Sequence, residues 1–587
     1  MKIRNILIVG CLILSGIIHA QPSLSYQRLT NGLAEPDFDE GHTDFAFDDI
    51  NMDGNIDILT VGDHGSPNFN SAQHGIIVWF GDGAGNFENY MNGNFGYGGI
   101  AIGDVNNDGH KDVGYGVHHN YSGTNWGDQL NEVVLGDGTG MNWEVWDEGL
   151  SGNGEDWGMF ETDFGDVDND GDLDLVSNSF GSGAGVHVYL NQGDGTWEQS
   201  FGFLNGNSDN NVEFGDFNSD GYLDFIASHE FGSVYFGDGT GSFTNNDNGL
   251  PTLATFEVRS GISVGDANTD GSADISFVNS SGGIAVYLWD KNTNMSWVSM
   301  SGELPQTGSF DFTELVDLNA DGLMDITAIE NETISFWLGD GLGNWTFETT
   351  FSIDPTADGK AFRAGGDFDH NGHPDLVLLA EIGPWYNYQN YMYCFKENDP
   401  ADSLWIMPQF PTGNENFYPG SVQFIKWASE VPAGENSSVN IEISAFGPQD
   451  PWWMLANELP NNGKHQWIVP NFGSNQVFLK FTVNHESGSA TSITQAAFNI
   501  YGNPTSIEKG DTQGETTVYP NPGSDYIFIR NFEFAQSIIF RDVSGRICFK
   551  LNQPNGRIDL KHLSSGIYFY EIITKNGSGK NGKWIKK

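Results

Sequence analysis

The chain has 587 residues, with 79 acidic side chains against 24 basic ones and a formal charge of −55. That surplus excludes nucleic acid and anionic membranes as partners. Aromatic residues reach 13 %, including 17 Trp, enough to fill several sheet interfaces and leave some for stacking on sugars or peptides.

Lys2 and Arg4 precede an apolar run over residues 6–18, which ends at His19-Ala20 before Gln21. Residues 1–20 therefore read as a secretory signal, too short and wrongly flanked for a membrane span, and no other stretch is apolar enough to cross a bilayer. Only Cys394 and Cys548 follow it, in different segments, so no disulfide framework is expected.

Residues 21–400 are organised by one loop, Asp-x-Asn/Asp-x-Asp/Asn-Gly-x-x-Asp, which recurs seven times. The copies begin at Asp49, Asp104, Asp166, Asp216, Asp266, Asp317 and Asp367, in steps of 55, 62, 50, 50, 51 and 50 residues. A period near fifty marks a repeat architecture. Short oxygen side chains stand at positions 1, 3, 5 and 9, and the glycine at position 6 permits a left-handed turn that folds them inward. The candidate ligands are Asp49, Asn51, Asp53 and Asp57, then Asp104, Asn106, Asp108 and Asp112, then Asp166, Asp168, Asp170 and Asp174. The later copies offer Asp216, Asn218, Asp220 and Asp224, Asp266, Asn268, Asp270 and Asp274, Asp317, Asn319, Asp321 and Asp325, and Asp367, Asp369, Asn371 and Asp375. Hard oxygen donors in a flexible loop suit Ca²⁺ better than Mg²⁺ or a transition metal, so up to seven structural Ca²⁺ ions are expected. The plainer alternative is a set of metal-free Asx-turns capping hairpins.

Each unit carries an apolar strand into the loop, a second strand out of it, and a third such as residues 188–190 or 336–338, which ends in Gly-Asp-Gly. An aromatic (Phe87, Trp143, Trp197, Phe243, Trp297 or Trp345) then opens a fourth. Four antiparallel strands per unit predict a propeller blade, and seven units a closed ring. Residues 25–33, ending Asn31-Gly32-Leu33, match the exits ending at Leu150 and Leu250 but have no preceding three strands. The seventh unit stops near Phe395 without its own Gly-Asp-Gly, so residues near 25–30 are expected to complete the seventh blade and remove the open edge.

These repeats resemble the FG-GAP/VCBS family, the units of the integrin α-subunit propeller and of many secreted bacterial proteins, over roughly residues 24–400. The resemblance specifies the fold and leaves the ligand open. Residues 401–502 alternate as strands and resemble a fibronectin-III-like β-sandwich, read as a spacer, with Trp452 and Trp453 as core or edge packing. A polar linker (503–515) leads to residues 516–587, which contain Tyr519-Pro520-Asn521-Pro522, Asp542 to Gly545, and Leu563 to Tyr568. This end resembles the type A C-terminal sorting domain of the type IX secretion system. The resemblance implies a partner in that machinery and a protein secreted from, or displayed on, a Gram-negative bacterium. The fold class expected is thus all-β: a seven-bladed β-propeller, a sandwich and a small C-terminal β-sandwich.

The acidic loops share one end of the ring, and the variable loops gather at the other. There His64, His118, His119, Tyr121, Trp126, Trp157, His229, Arg259, Arg363 and Trp385 form a candidate ligand face. The expected function is a non-enzymatic binding or adhesion module for glycan or extracellular protein. The alternative is a polysaccharide lyase acting on uronic-acid polymers, with Arg259 or Arg363 neutralising the carboxylate and His64, His118 or His229 taking the proton. No Ser/His/Asp elbow, zinc-protease helix or phosphate loop is present.

Overall fold

A computed structural model describes residues 24–29, 32–33, 44–62, 75–92, 98–117, 131–152, 159–179, 185–203, 208–229, 232–251, 261–353, 358–382, 389–432, 437–449 and 451–502. In the C-terminal part it describes 518–519, 526–529, 535–542, 546–552, 554, 557–564, 566–575 and 579–586. The described residues form strands and no helix. Apart from one sheet of the C-terminal unit, seven four-stranded sheets are present, all antiparallel and six of them contiguous in sequence. The sheet of the third acidic loop is representative, with strands Met159–Gly165, Asp174–Ser179, Val186–Asn191 and Trp197–Phe203. Its second strand, DLVSNS, is buried along its whole length because neighbouring sheets cover both faces. The outer strand, WEQSFGF, alternates with solvent.

The first strands of successive sheets pack against one another in cyclic order. They run Phe45–Asp48, Gly98–Gly103, Met159–Gly165, Ser208–Gly215, Ser263–Gly265, Phe310–Val316 and Asp358–Gly366, and the last lies against the first. The seventh sheet is completed from the other end of the chain. Tyr26–Leu29 pairs antiparallel with Gln389–Glu397, in the register Tyr26 to Glu397 and Leu29 to Cys394. Leu29 and Leu33 pack with Phe45, Trp79, Phe87 and Cys394, which joins the last sheet to the first in one core.

Blade-to-blade contacts use the opening aromatics. The indole Nε1 of Trp197 donates to the Trp146 carbonyl at 2.8 Å, Trp297 to Asn246 at 2.9 Å and Trp345 to Met300 at 2.8 Å. The exit glycines lie against the same aromatics with left-handed φ: Gly149 (100°) on Trp197, Gly249 (96°) on Trp297 and Gly32 (79°) on Phe87. A Cβ at Gly32 would stand 1.6 Å from the Phe87 carbonyl oxygen, so no other residue fits this seam. The N-terminal segment therefore makes, across the closure, the contact that internal blades make in sequence.

Residues 405–500 form a sandwich. One sheet holds Trp405–Phe410, Val422–Glu430 and Lys464–Ile468; the other is centred on Ser438–Ser444 and Ser474–His485. Its core includes Ile425, Trp427, Ile441, Trp467, Leu479 and Phe481. Trp453 packs on Phe472, and Lys480 lies 4.9 Å over the Trp452 ring, consistent with packing roles for both indoles. The C-terminal unit has two small sheets around Phe540, Ile572 and a fully buried Trp584. Cys394 and Cys548 are free thiols.

Candidate metal centres and the face that covers them

All seven acidic loops fold by the same short-range hydrogen bonds. In the first, Asp49 Oδ1 accepts from Asp53 N at 2.9 Å and Oδ2 from Gly54 N at 2.9 Å, while Asp53 Oδ1 accepts from Asn55 N at 2.9 Å. Asp57 at position 9 accepts from Ile50 N at 3.0 Å and, across the sheet, from Gly81 N at 2.8 Å. That carboxylate therefore does more than offer a ligand oxygen: it ties the loop to the end of the third strand. The loops also contain a feature with no sequence signature. Position 4 is left-handed in every copy, with φ between 54° and 60° at Met52, Asn107, Asn169, Ser219, Thr269, Ala320 and His370. Only three of these, two Asn and one His, are residue types enriched in this region, and such a conformation costs on the order of 1–3 kcal/mol.

These loops concentrate buried negative charge. The position-9 carboxylates are at most 1 % exposed. Burial, then hydrogen bonding and the neighbouring carboxylates, leave Asp57 and Asp325 at about 8 and Asp112 at about 7. Burial also raises Asp174, Asp224, Asp274 and Asp375 well above the usual range. At position 1, burial sets Asp49, Asp266 and Asp317 at about 6 and Asp166, Asp216 and Asp367 at about 7. Carboxylate oxygens of Asp166, Asp168 and Asp174 lie within 4.8 Å of one another, as do those of Asp367, Asp369 and Asp375. The buried Asp274 Oδ1 and Asp369 Oδ1 have no hydrogen-bond partner. Converging anionic oxygens, one of them orphaned at Asp369, fit a hard divalent cation. The residues at positions 1, 3, 5 and 9 are placed to hold it. The seventh loop departs from the others, because Lys396 forms an ion pair with Asp369 at position 3.

The end of the ring that carries these loops is covered. The sandwich, expected to be a spacer, sits on it and touches every loop. Asn462 Nδ2 donates to Asp49 Oδ2 at 3.1 Å, and Gln466 bonds both the N–H (2.9 Å) and the carbonyl (2.8 Å) of Asp104. Val422 N donates to Asp166 Oδ2 at 2.8 Å, Asn416 Nδ2 to the Ser219 carbonyl at 2.9 Å, and Tyr418 stacks on Tyr222 at 4.4 Å. Asn414 packs on Gly271, Gln495 and Met407 lie beside Gly322, and Val431 N donates to the His370 carbonyl at 3.0 Å. At the rim Asp48, 2 % exposed, lies between Lys111 at 3.2 Å and Lys464 at 3.3 Å. Burial alone would raise its carboxyl, but the two ammonium groups outweigh that and hold it below the usual range.

Of the candidate ligand-face residues, two are described, and both require correction. His229 is 3 % exposed and packs edge-on to Phe203 at 4.6 Å, because it ends a strand buried on both faces. Arg363 occupies the middle of the ring, where first strands of different blades converge. It pairs with Asp44 at 2.6 Å, Glu314 at 3.3 Å, Glu213 at 3.5 Å and Glu161 at 3.6 Å. An arginine ringed by four acidic side chains stands among excess negative charge, which disfavours a substrate carboxylate. Burial raises Glu161 well above the usual range, Glu213 to about 8 and Glu314 to about 7, against the opposing pull of Arg363. His64, His118, His119, Tyr121, Trp126, Trp157, Arg259 and Trp385 lie outside the described residues.

A ring of repeated four-stranded sheets with an acidic loop in each defines a β-propeller. Residues 166–227 and 317–378 match the FG-GAP-like repeat, and residues 517–587 match the secretion system C-terminal sorting domain. The repeats are thus FG-GAP-like, and the sorting domain implies export by the type IX system to the cell surface or the extracellular space. No curated protein matches the chain. Solved structures similar to it include an Agrocybe aegerita lectin described for recognition of non-reducing terminal N-acetylglucosamine, at 17 % identity. That match covers 58 % of this chain and 83 % of the lectin, with a TM-score of 0.34. BBS1N in complex with ARL6DN matches at 8 % identity over 62 % of this chain and 96 % of that one, with a TM-score of 0.37. The NanB sialidase from Streptococcus pneumoniae matches at 11 % identity over 66 % and 73 %, with a TM-score of 0.32. Among the described residues no helix is long and apolar enough to cross a membrane.

Proposed function

We propose that this chain is an exported, calcium-stabilised β-propeller that binds a glycan or protein at the mouth opposite the sandwich. The observation that supports the calcium reading is a buried position-9 carboxylate with raised proton affinity in all seven loops, with acidic oxygens converging in the third and seventh and Asp274 and Asp369 each keeping an oxygen without a partner. Two such charges about 4 Å apart repel by roughly 4 kcal/mol at an effective dielectric near 20, and a divalent ion converts that repulsion into ligation. Bound calcium supplies positive charge at each blade end; the chain's own backbone N–H groups orient the carboxylates around it. The ligand face follows by exclusion, since the sandwich occupies the loop end.

Two measurements test this reading. Elemental analysis of the exported protein should find several Ca²⁺ per chain, and a glycan array probed with calcium-loaded protein should give discrete binders that vanish after chelation. A calcium-free preparation with an unchanged melting temperature would reject the metal part. A blank array, together with no capture of surface proteins, would reject the binding part. The lyase alternative loses Arg363 as a carboxylate-neutralising group, while Arg259, its other candidate, lies outside the described residues.

A further inference from the structure

A second cluster of metal-ligating residue types lies beside the seventh loop, where the propeller hands over to the sandwich. In blades one, two, four and six the strand end that donates to the position-9 carboxylate is Gly81, Gly136, Gly237 or Gly339. In the seventh sheet Glu397 takes that place, with its N–H 2.7 Å from Asp375 Oδ1. Two residues on, where those blades carry the second glycine of Gly-Asp-Gly, stands Asp399. Both substitutions bring carboxylates toward position 7 of the loop, His373. One ligand atom from each of His373, Glu397 and Asp399 lies within 4.8 Å of the other two.

The histidine is oriented for ligation. Its Nδ1 lies 3.4 Å from the Leu318 carbonyl, an acceptor only, which leaves Nε2 as the nitrogen directed at the carboxylates. Nε2 faces Asp399 Oδ2 at 3.6 Å. With the ring neutral, the Nε2 lone pair and the carboxylate repel unless a cation stands between them. Glu397 is 2 % exposed, and among the described residues no lysine or arginine pairs with it or with Asp399. The carboxylates are themselves held in place: Glu397 Oε2 accepts from Asp399 N at 2.6 Å, and Asn371 Nδ2 donates to the carbonyls of Glu397 (3.3 Å) and Asp399 (3.0 Å).

We infer that His373, Glu397 and Asp399 form a site for a borderline transition cation of the Zn²⁺ class, separate from the all-oxygen loops. One imidazole nitrogen with two carboxylates, completed by water, matches zinc chemistry and is a poor match for calcium. Such an ion would fasten the seventh loop to the strand that leads into the sandwich.

Calcium-saturated full-length protein titrated with ZnCl₂ by calorimetry provides the test. His373→Ala and the near-isosteric Asp399→Asn should each lower the association constant of one zinc site by at least about tenfold. Calcium content should stay constant, because position 7 offers its main-chain carbonyl and not its ring. Zinc absorption spectra of the wild type should show nitrogen in the coordination shell, reduced in His373→Ala. Superimposable zinc titrations for the wild type and a folded Asp399→Asn variant would overturn the site. The same holds if the calcium-saturated wild type takes up no zinc.

Discussion

Arg363 shows how a single side chain governs charge in the middle of the ring. Four carboxylates from four other blades converge on it. Burial first, then their mutual repulsion, places Glu314 at about 7 and Glu213 at about 8, while Arg363 pulls both down. These values lie above the unfolded value near 4.3, so folding favours the protonated forms. Their contribution is complete below that value and is lost as pH rises through about 7 to 8. Arg363→Met removes the countercharge and should deepen the loss. A melting temperature near the wild type's at about pH 6 should fall at about pH 8.5 by the equivalent of about 3 kcal/mol. Thermal melts at both pH values check this, and parallel curves for the two proteins would rule it out.

The closing strand tests whether the ring is sealed by packing or merely by proximity. Tyr26–Leu29 supplies the outer strand of the seventh sheet, and Gly32 seats on Phe87 of the first. Gly32→Ala meets two obstacles, a left-handed φ and a Cβ 1.6 Å from a carbonyl oxygen. Gly420→Ala meets only the first, having φ of 96° and no atom within 4 Å of the added carbon. The Gly420 variant should lose about 1–2 kcal/mol, and Gly32→Ala clearly more, with broader unfolding as the seam opens. Denaturant unfolding monitored by Trp fluorescence measures both; equal losses would mean that the seam carries no weight. The echo between residues 31–33 and the two other exits made this closure legible, because the same short motif performs the same local packing each time. The indole donors that clasp neighbouring blades gave no such notice, since an aromatic opening a strand looks alike whether or not its N–H is used.

Over the whole molecule, the loops that carry the candidate metal ligands also carry the contacts to the sandwich. Asp49 and Asp166 accept hydrogen bonds from Asn462 and Val422 of the sandwich, and Asp104 is clasped by Gln466. If calcium fixes those carboxylates, its removal should loosen the sandwich before the blades melt. Chelation is therefore expected to raise the radius of gyration and to expose the junction around residues 398–404 to protease, with both effects reversed by Ca²⁺. Small-angle scattering and limited proteolysis read the two outcomes. Identical profiles with and without chelator would show that docking is independent of metal.

What could be read along the chain was what is completed within a few residues. Each acidic loop places its oxygens within nine positions and orients them with its own backbone N–H groups, so seven copies spelled out the repeat and the loop geometry. The β class and the sorting domain were legible for the same reason, through alternation and short motifs. The seating of the sandwich was decided elsewhere, by pairs such as Asn462 with Asp49, 413 residues apart, and Gln466 with Asp104, 362 apart. Neither Asn462 nor Gln466 belongs to a motif. Arg363 misled in the same way, since its four partners come from strands that meet only when the ring closes. His229 looked like an exposed loop residue until the sheet buried it. Local hydrogen bonding specified the repeated part, whereas solvent exclusion across closed surfaces, which no single segment encodes, fixed which groups face a ligand and which are sealed away.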